Sequence, residues 1–186
     1  MKKNYLLKIP KEISIIYSDK NSIILIKGPL GQKILKLKNK LKFKKSTSLL
    51  YIKNSSFAIN NLNKKQKSLQ GTTLSLIKQK LFEVSKKVFI KLRLNGIGYK
   101  IDIIEKKFYK LLRLKLGLSH FIYYKIPNTV EIKCYSTNKL IILGNNYNLV
   151  TNIASKIRAF KVPEVYKGKG ILYENEIVKL KEGKKV

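Results

Sequence analysis

The stretch Val88-Phe89-Ile90-Lys91-Leu92-Arg93-Leu94-Asn95 decides the fold. Val88, Ile90, Leu92 and Leu94 alternate with Phe89, Lys91, Arg93 and Asn95, the period of a half-buried strand. Just upstream the period is different. Between Leu62 and Val88 there is no proline, and Leu69, Thr73, Leu76, Ile77, Leu81 and Val84 recur at helical spacing. The switch from helix to strand near Lys86–Val88 is therefore a boundary, and the chain on either side repeats one order of elements.

On the upstream side, Ile13, Ile15 and Tyr17 alternate with Ser14 and Ile16, and 23–27 is a short apolar run. Gly28-Pro29-Leu30-Gly31 is a turn by composition, and 33–38 alternates again. Residues 49–53 and 56–59 read as a hairpin across Asn54-Ser55. On the downstream side, Asn95-Gly96-Ile97-Gly98-Tyr99 is a turn or bulge. Ile101 and Ile103, then Leu112, Leu114 and Leu116, then 123–126, 130–134 and 140–143 read as strands. A helix follows Asn146, with Leu149, Val150, Ile153, Ala154 and Ile157 on one face. Strands grouped before a helix imply an α+β arrangement, a small antiparallel sheet with the helix packed on one face. Two tandem domains of this kind are expected, residues 1–86 and 87–162, followed by a basic C-terminal extension, 163–186.

Charge bounds the partner. The chain has 186 residues with 41 Lys+Arg against 10 Asp+Glu, a formal net charge of +31. From Lys20 to Phe82 there are fifteen lysines and no acid. Such a body repels itself unless a polyanion neutralises it. Nucleic acid is the first candidate and an anionic membrane surface the second. No apolar run approaches the ~18 residues needed to span a bilayer. Lys36, Lys38, Lys40, Lys42, Lys44 and Lys45 stand at near-alternate spacing, a lysine-coated strand face or a cationic arm able to track a phosphate backbone. Against this lysine excess there are three arginines, Arg93, Arg113 and Arg158, and arginine binds phosphate bidentately where lysine does not.

Catalytic constellations are absent from the pattern. Gly28-Pro-Leu-Gly-Gln-Lys33 lacks the spacing of a phosphate loop, and Gly96-Ile-Gly98 lacks the third glycine of a dinucleotide fingerprint. One histidine, His120, and one cysteine, Cys134, cannot assemble a triad or a zinc site. His120, at a strand-to-strand turn, is a structural residue or an RNA contact, and Cys134 reads as a small buried hydrophobe. Glu174 and Glu176 would share one strand face, and Asp102 and Glu105 flank a turn; paired acids beside nucleic acid can hold Mg²⁺. Local pairing with lysines is the better reading of them. No cofactor, no metal and no enzymatic activity are expected. The N-terminal segment 1–10 is basic, and its apolar run is too short for a signal peptide.

The C-terminal third carries the most specific motif. Ile157-Arg158-Ala159-Phe160 leads into Pro163-Glu164-Val165-Tyr166-Lys167-Gly168-Lys169-Gly170, with Lys161 between. Together with Gly71-Thr72-Thr73, Leu92–Lys100 (LRLNGIGYK) and Leu116-Gly117-Leu118-Ser119-His120, it resembles the large-subunit ribosomal protein six family of bacteria and organelles. The matches fall in order along nearly the whole chain. They depart from the family pattern at Leu74, where a basic residue is common, and at Phe121, where proline is common.

The resemblance implies a structural constituent of the large ribosomal subunit, bound to large-subunit rRNA near the stalk base and the sarcin–ricin region. Its other partners would be neighbouring large-subunit proteins, with no membrane partner and no homo-oligomer. The implied RNA-binding residues are Arg158, Lys161, Tyr166, Lys167, Gly168, Lys169 and Gly170; Gly96, Gly98 and Tyr99; Ser119 and His120; and Gly71, Thr72 and Thr73. The Glu164-Val165-Tyr166 variant, Gly170-Ile171 and the A/T-rich codon signature of abundant Lys, Ile and Asn point to an organelle-encoded protein, a mitochondrial member first, with a plastid or an A/T-rich bacterium as alternatives. A non-ribosomal RNA-binding or RNA-processing factor is the rival reading.

Overall fold

The computed structural model describes residues 6–18, 22–37, 41–45, 49–54 and 64–183, with side chains left undescribed at 6, 41–45, 49–54 and 64–67. The chain divides into two compact units, Met1–Lys87 and Val88–Val186.

In the first unit, β2 (Ser14–Ser18), β3 (Ile23–Gly28) and β4 (Gly31–Lys36) form an antiparallel meander. A second sheet orders β1 (Leu6–Lys8), β6 (Leu49–Asn54) and β5 (Leu41–Lys45). The helix α1 (Lys64–Ser85) closes the core with Ile77, Leu81 and Val84, against Ile13, Ile15, Ile24 and Ile26. The close approach is visible at Gly28, where a Cβ would come within 2.4 Å of Val84 Cγ1. Part of the expected 49–59 hairpin, 55–59, lies outside the described residues.

The second unit also has two sheets. β8 (Lys100–Glu105), β9 (Lys110–Lys115) and β10 (Ile122–Ile126) form a meander. A four-stranded sheet runs β11 (Val130–Ser136), β12 (Lys139–Gly144), β7 (Val88–Asn95), β13 (Gly170–Tyr173). α2 (Tyr147–Ala159) buries Val150, Ile153, Ala154 and Ile157 on this unit's core. It starts where the sequence says it should: Asn146 is extended, and its side-chain carbonyl accepts the Asn148 N–H at 3.1 Å. Lys156 and Arg158 in the last turn complement the helix dipole.

Among the described residues the architecture is α+β with two helices and small antiparallel sheets, as expected, with two sheets in each unit rather than one. Three details differ from the sequence reading. Leu149 is exposed rather than part of the packed face of α2. Cys134 is exposed, not buried: it keeps the register of Val130 and Ile132, but burial on the edge strand β11 stops after Ile132, just before the register shifts between Cys134 and Ser136. Within 163–186, residues Gly170–Tyr173 are a strand of the sheet, and Gly170, Ile171 and Leu172 are buried in succession.

Candidate nucleic-acid interface

β13 runs antiparallel to β7 with Gly170 opposite Asn95. The chain therefore enters β13 at the end of the sheet where β7 turns into Gly96–Tyr99. The turn between β11 and β12 lies there too: the Leu94 N–H donates to the Asn138 carbonyl and the Ile101 N–H to the Thr137 carbonyl, both at 2.8 Å. Tyr99 ties in a third loop. Its ring lies against Gly96, where a Cβ would sit 2.7 Å from the ring carbons, and against Gly117, where a Cβ would sit 3.1 Å away. That contact draws in the turn between β9 and β10, where Ser119 and His120 are both exposed. Four loops thus converge on one end of the second unit: 95–99, 116–121, 137–138 and 161–169. Gly96, Gly98, Tyr99, Ser119, His120, Lys161 and the Tyr166–Gly170 motif, scattered over 75 positions of sequence, are brought together.

The last of these loops is not a loose tail. The Glu164 N–H donates to the Lys169 carbonyl at 2.9 Å and the Gly168 N–H to the Glu164 carbonyl at 3.0 Å, closing the loop on itself. The Ile171 N–H reaches back to the Lys161 carbonyl at 2.8 Å, and the Lys181 N–H braces the far side through the Val165 carbonyl at 2.9 Å. Gly170 is at φ +149, and a Cβ there would fall 2.7 Å from Pro163 Cα and 2.9 Å from the Val162 carbonyl carbon. Only glycine permits both that conformation and that approach of two backbones. Tyr166 and Lys167 are left on the outside, Tyr166 with 54% of its surface exposed.

Arg158 does something other than reach outward. Its Nε and Nη2 donate to the two carboxylate oxygens of Glu176 at 3.1 and 2.6 Å, and its guanidinium lies 5.7 Å from the Tyr173 ring centroid. Glu176 also accepts the Tyr173 N–H at 3.1 Å, while its own carbonyl takes the Arg93 Nη2 at 3.0 Å. The hydrogen bonds from Arg158 hold the Glu176 carboxyl below the usual glutamate range, and those to Glu176 hold the guanidinium above its ordinary value. This clamp fastens the segment after β13 to α2 and β7. Arg113, likewise, pairs with Asp102 at 2.8 Å and lies over Phe121. Only Arg158 uses its fork, on the Glu176 carboxylate; Arg93 and Arg113 each donate through one nitrogen, to the Glu176 carbonyl and to Asp102.

Glu174 and Glu176 do not form a pair of acids. β13 ends at Tyr173, and beyond it Glu174 takes Lys91 at 3.1 Å while Glu176 takes Arg158. Among the described residues there is no group of three or more His, Cys, Asp and Glu able to hold a metal. Around the convergent loops the charge is positive. Lys100 and Lys115 face each other across β8 and β9, a like-charge pairing that a sheet disfavours unless something neutralises it. Lys139, Lys161, Lys167 and Lys169 add to them, and Glu164 is the one acid in the four loops.

The first unit's expected contacts lie on α1. Thr72 is exposed and donates its hydroxyl to the Leu69 carbonyl; Thr73 is buried and donates to Gln70. A Cβ at Gly71 would meet nothing within 4 Å, so sheet packing does not explain this glycine. Of the lysine run, Lys42, Lys44 and Lys45 lie on β5, Lys36 ends β4, and Lys38 and Lys40 are outside the described residues. No described helix is long and apolar enough to cross a membrane.

Comparison with known proteins gives one consistent result. The model of the family Ribosomal protein L6 matches residues 95–174, which hold all four convergent loops. The chain is 39% identical to the large ribosomal subunit protein uL6m of Reclinomonas americana over 187 aligned positions, 96% of this chain and 95% of that protein. It is 34% identical to uL6m of Prototheca wickerhamii, over 97% of this chain and 95% of that protein. A bacterial relative, uL6 of Paramagnetospirillum magneticum, is 36% identical over 87% of this chain and 86% of its own length.

Proposed function

Because the chain belongs to the ribosomal protein L6 family, we propose that it is a structural, non-catalytic constituent of the large ribosomal subunit that binds large-subunit rRNA. The observation that carries this reading is the convergence of the four loops, with uncompensated lysines, on one end of the second unit. Lys100, Lys115, Lys161, Lys167 and Lys169 supply phosphate-pairing charge; Tyr166 and His120 supply planar faces for unstacked bases; Gly96, Gly98, Gly168 and Ser119 let backbone come close. Arg158 and Gly170 act one step back, holding the 161–169 loop in shape so that little ordering remains to be done on binding. In the first unit, Gly71 and Thr72 offer a second, smaller contact, and Thr73 keeps that turn of α1 in place.

The RNA region we assign is the neighbourhood of the stalk base and the sarcin–ricin loop, with the second unit, residues 163–186 included, making most of the contact and other large-subunit proteins packing beside it. We place the protein in the mitochondrial ribosome. The uL6m relatives support that compartment, and the bacterial relatives keep a bacterial cytoplasm or a plastid as the alternatives. Gradient sedimentation tests the whole reading. The protein is expected to travel with large subunits and to be stripped only at high salt. Recovery solely in the soluble fraction at low salt with adequate Mg²⁺ overturns it.

A further inference from the structure

At the far end of β8 and β9 from the convergent loops sits a second cluster. The strands are joined by the turn Lys106-Lys107-Phe108-Tyr109, closed by the Lys106 N–H on the Tyr109 carbonyl at 2.9 Å. Phe108, at its tip, is 88% exposed. Tyr109 is flanked by two cations: the ammonium of Lys106 lies 5.5 Å from the ring centroid and that of Lys125, from the end of β10, lies 5.4 Å away. Lys107 is exposed beside them. The acid at hand, Glu105, is already paired with Lys110. A large aromatic held out into solvent costs hydration, and gathering like charges on one ring costs repulsion. An apolar partner would relieve the first and leave the second. A nucleotide relieves both, by stacking a base on Phe108 and setting its phosphates among Lys106, Lys107 and Lys125.

We propose that this turn is a second RNA contact of the second unit, a stacking finger for an unpaired rRNA nucleotide. The proposal rests on the ribosomal reading above. Six-residue strands separate the finger from the convergent loops by about 17 Å, so the unit would bridge two RNA segments rather than cap one.

The test uses the full-length protein in reconstituted large subunits, with a photo-crosslinking side chain at position 108 or at 167. The expected result is a crosslink from 108 to an rRNA nucleotide different from those reached from 167. In subunits carrying Phe108→Ala, that nucleotide should become chemically reactive, and Phe108→Trp should protect it again. In binding to rRNA, Phe108→Ala should weaken affinity roughly ten-fold. Replacing Lys106 and Lys107 by Gln should lower the salt slope by about 1.4. A crosslink from 108 to protein, or to nothing, while 167 still reaches RNA, overturns the finger and leaves the ribosomal reading standing. If neither position reaches RNA, both fall.

Discussion

The acid-free stretch of the first unit and the convergent loops of the second are both basic, but they are basic in different ways. Lys20 to Phe82 holds fifteen lysines and no arginine, and the β5–β6 register sets Lys42 opposite Lys53 with no acid between them. The loop end of the second unit has fewer cations. It has instead a loop closed by backbone hydrogen bonds, a tyrosine packed between two glycines and a carboxylate clamp. Released counterions reward charge wherever it sits, so the first kind of surface gives salt-sensitive affinity without register. The second kind fixes where the few contacting groups stand, which is what positions a protein on folded RNA. The difference implies that mutations should hurt by geometry in the second unit and by charge count in the first.

The largest effect expected is at Gly170. Gly170→Ala puts a Cβ within 2.7–2.9 Å of the Val162–Pro163 backbone at φ +149, where neither side can yield cheaply. A loss of about 3 kcal/mol is expected, a fall of roughly 10 °C or more in Tm for a domain this size. An unchanged melting curve would mean that the loop is not held as described. Next, Lys167→Glu with Lys169→Glu should weaken binding to large-subunit rRNA roughly 30-fold or more, while Lys42→Glu with Lys44→Glu, the same charge change, should cost several-fold less. Equal losses in a filter-binding titration would erase the distinction between the two surfaces. Third, Glu176→Gln should cost about 1–2 kcal/mol, since Arg158 loses a charged partner that is three-quarters buried with it. The pH dependence has a definite sign. The Glu176 carboxyl is held below its unfolded value, so its stabilisation is complete above the ordinary glutamate range and disappears as pH falls through the lowered folded value. The gap in Tm between wild type and Glu176→Gln should therefore narrow on acidification below pH ~4.3.

Much of the fold was legible because each element kept one period. β7 buries Val88, Leu92 and Leu94, β9 buries Leu112 and Leu114, and Asn146 caps α2 as the sequence predicts. β13 was not legible as a strand. Gly170, Ile171 and Leu172 are buried one after another, which leaves no alternation, and they follow directly on Lys-Gly-Lys, inside what reads as a basic C-terminal extension. The candidate site was legible residue by residue and not as a place. Its assembly depends on Gly170 facing Asn95 and on Tyr99 reaching Gly117, both long-range facts with no local signature. The role of Arg158 was hidden for the same reason. Its partner Glu176 lies 18 residues on, across a loop and a strand, and arginine in a basic chain looks outward until its carboxylate is found.

The smallest effect separates fold from function most cleanly. Gly71 is in the interior of α1, where glycine costs about 1 kcal/mol against alanine, and the space around it is open. Gly71→Ala should therefore stabilise the first unit by about 0.5–1 kcal/mol, since no described atom stands within 4 Å of the added methyl. If RNA backbone comes against this turn of the helix, the same methyl should push it away, and affinity should fall by a few-fold as stability rises. Opposite signs in the melting and binding measurements mark a glycine kept for a ligand. A gain in stability with unchanged affinity would mean that α1 makes no close contact there, and that the first unit binds by its lysines alone.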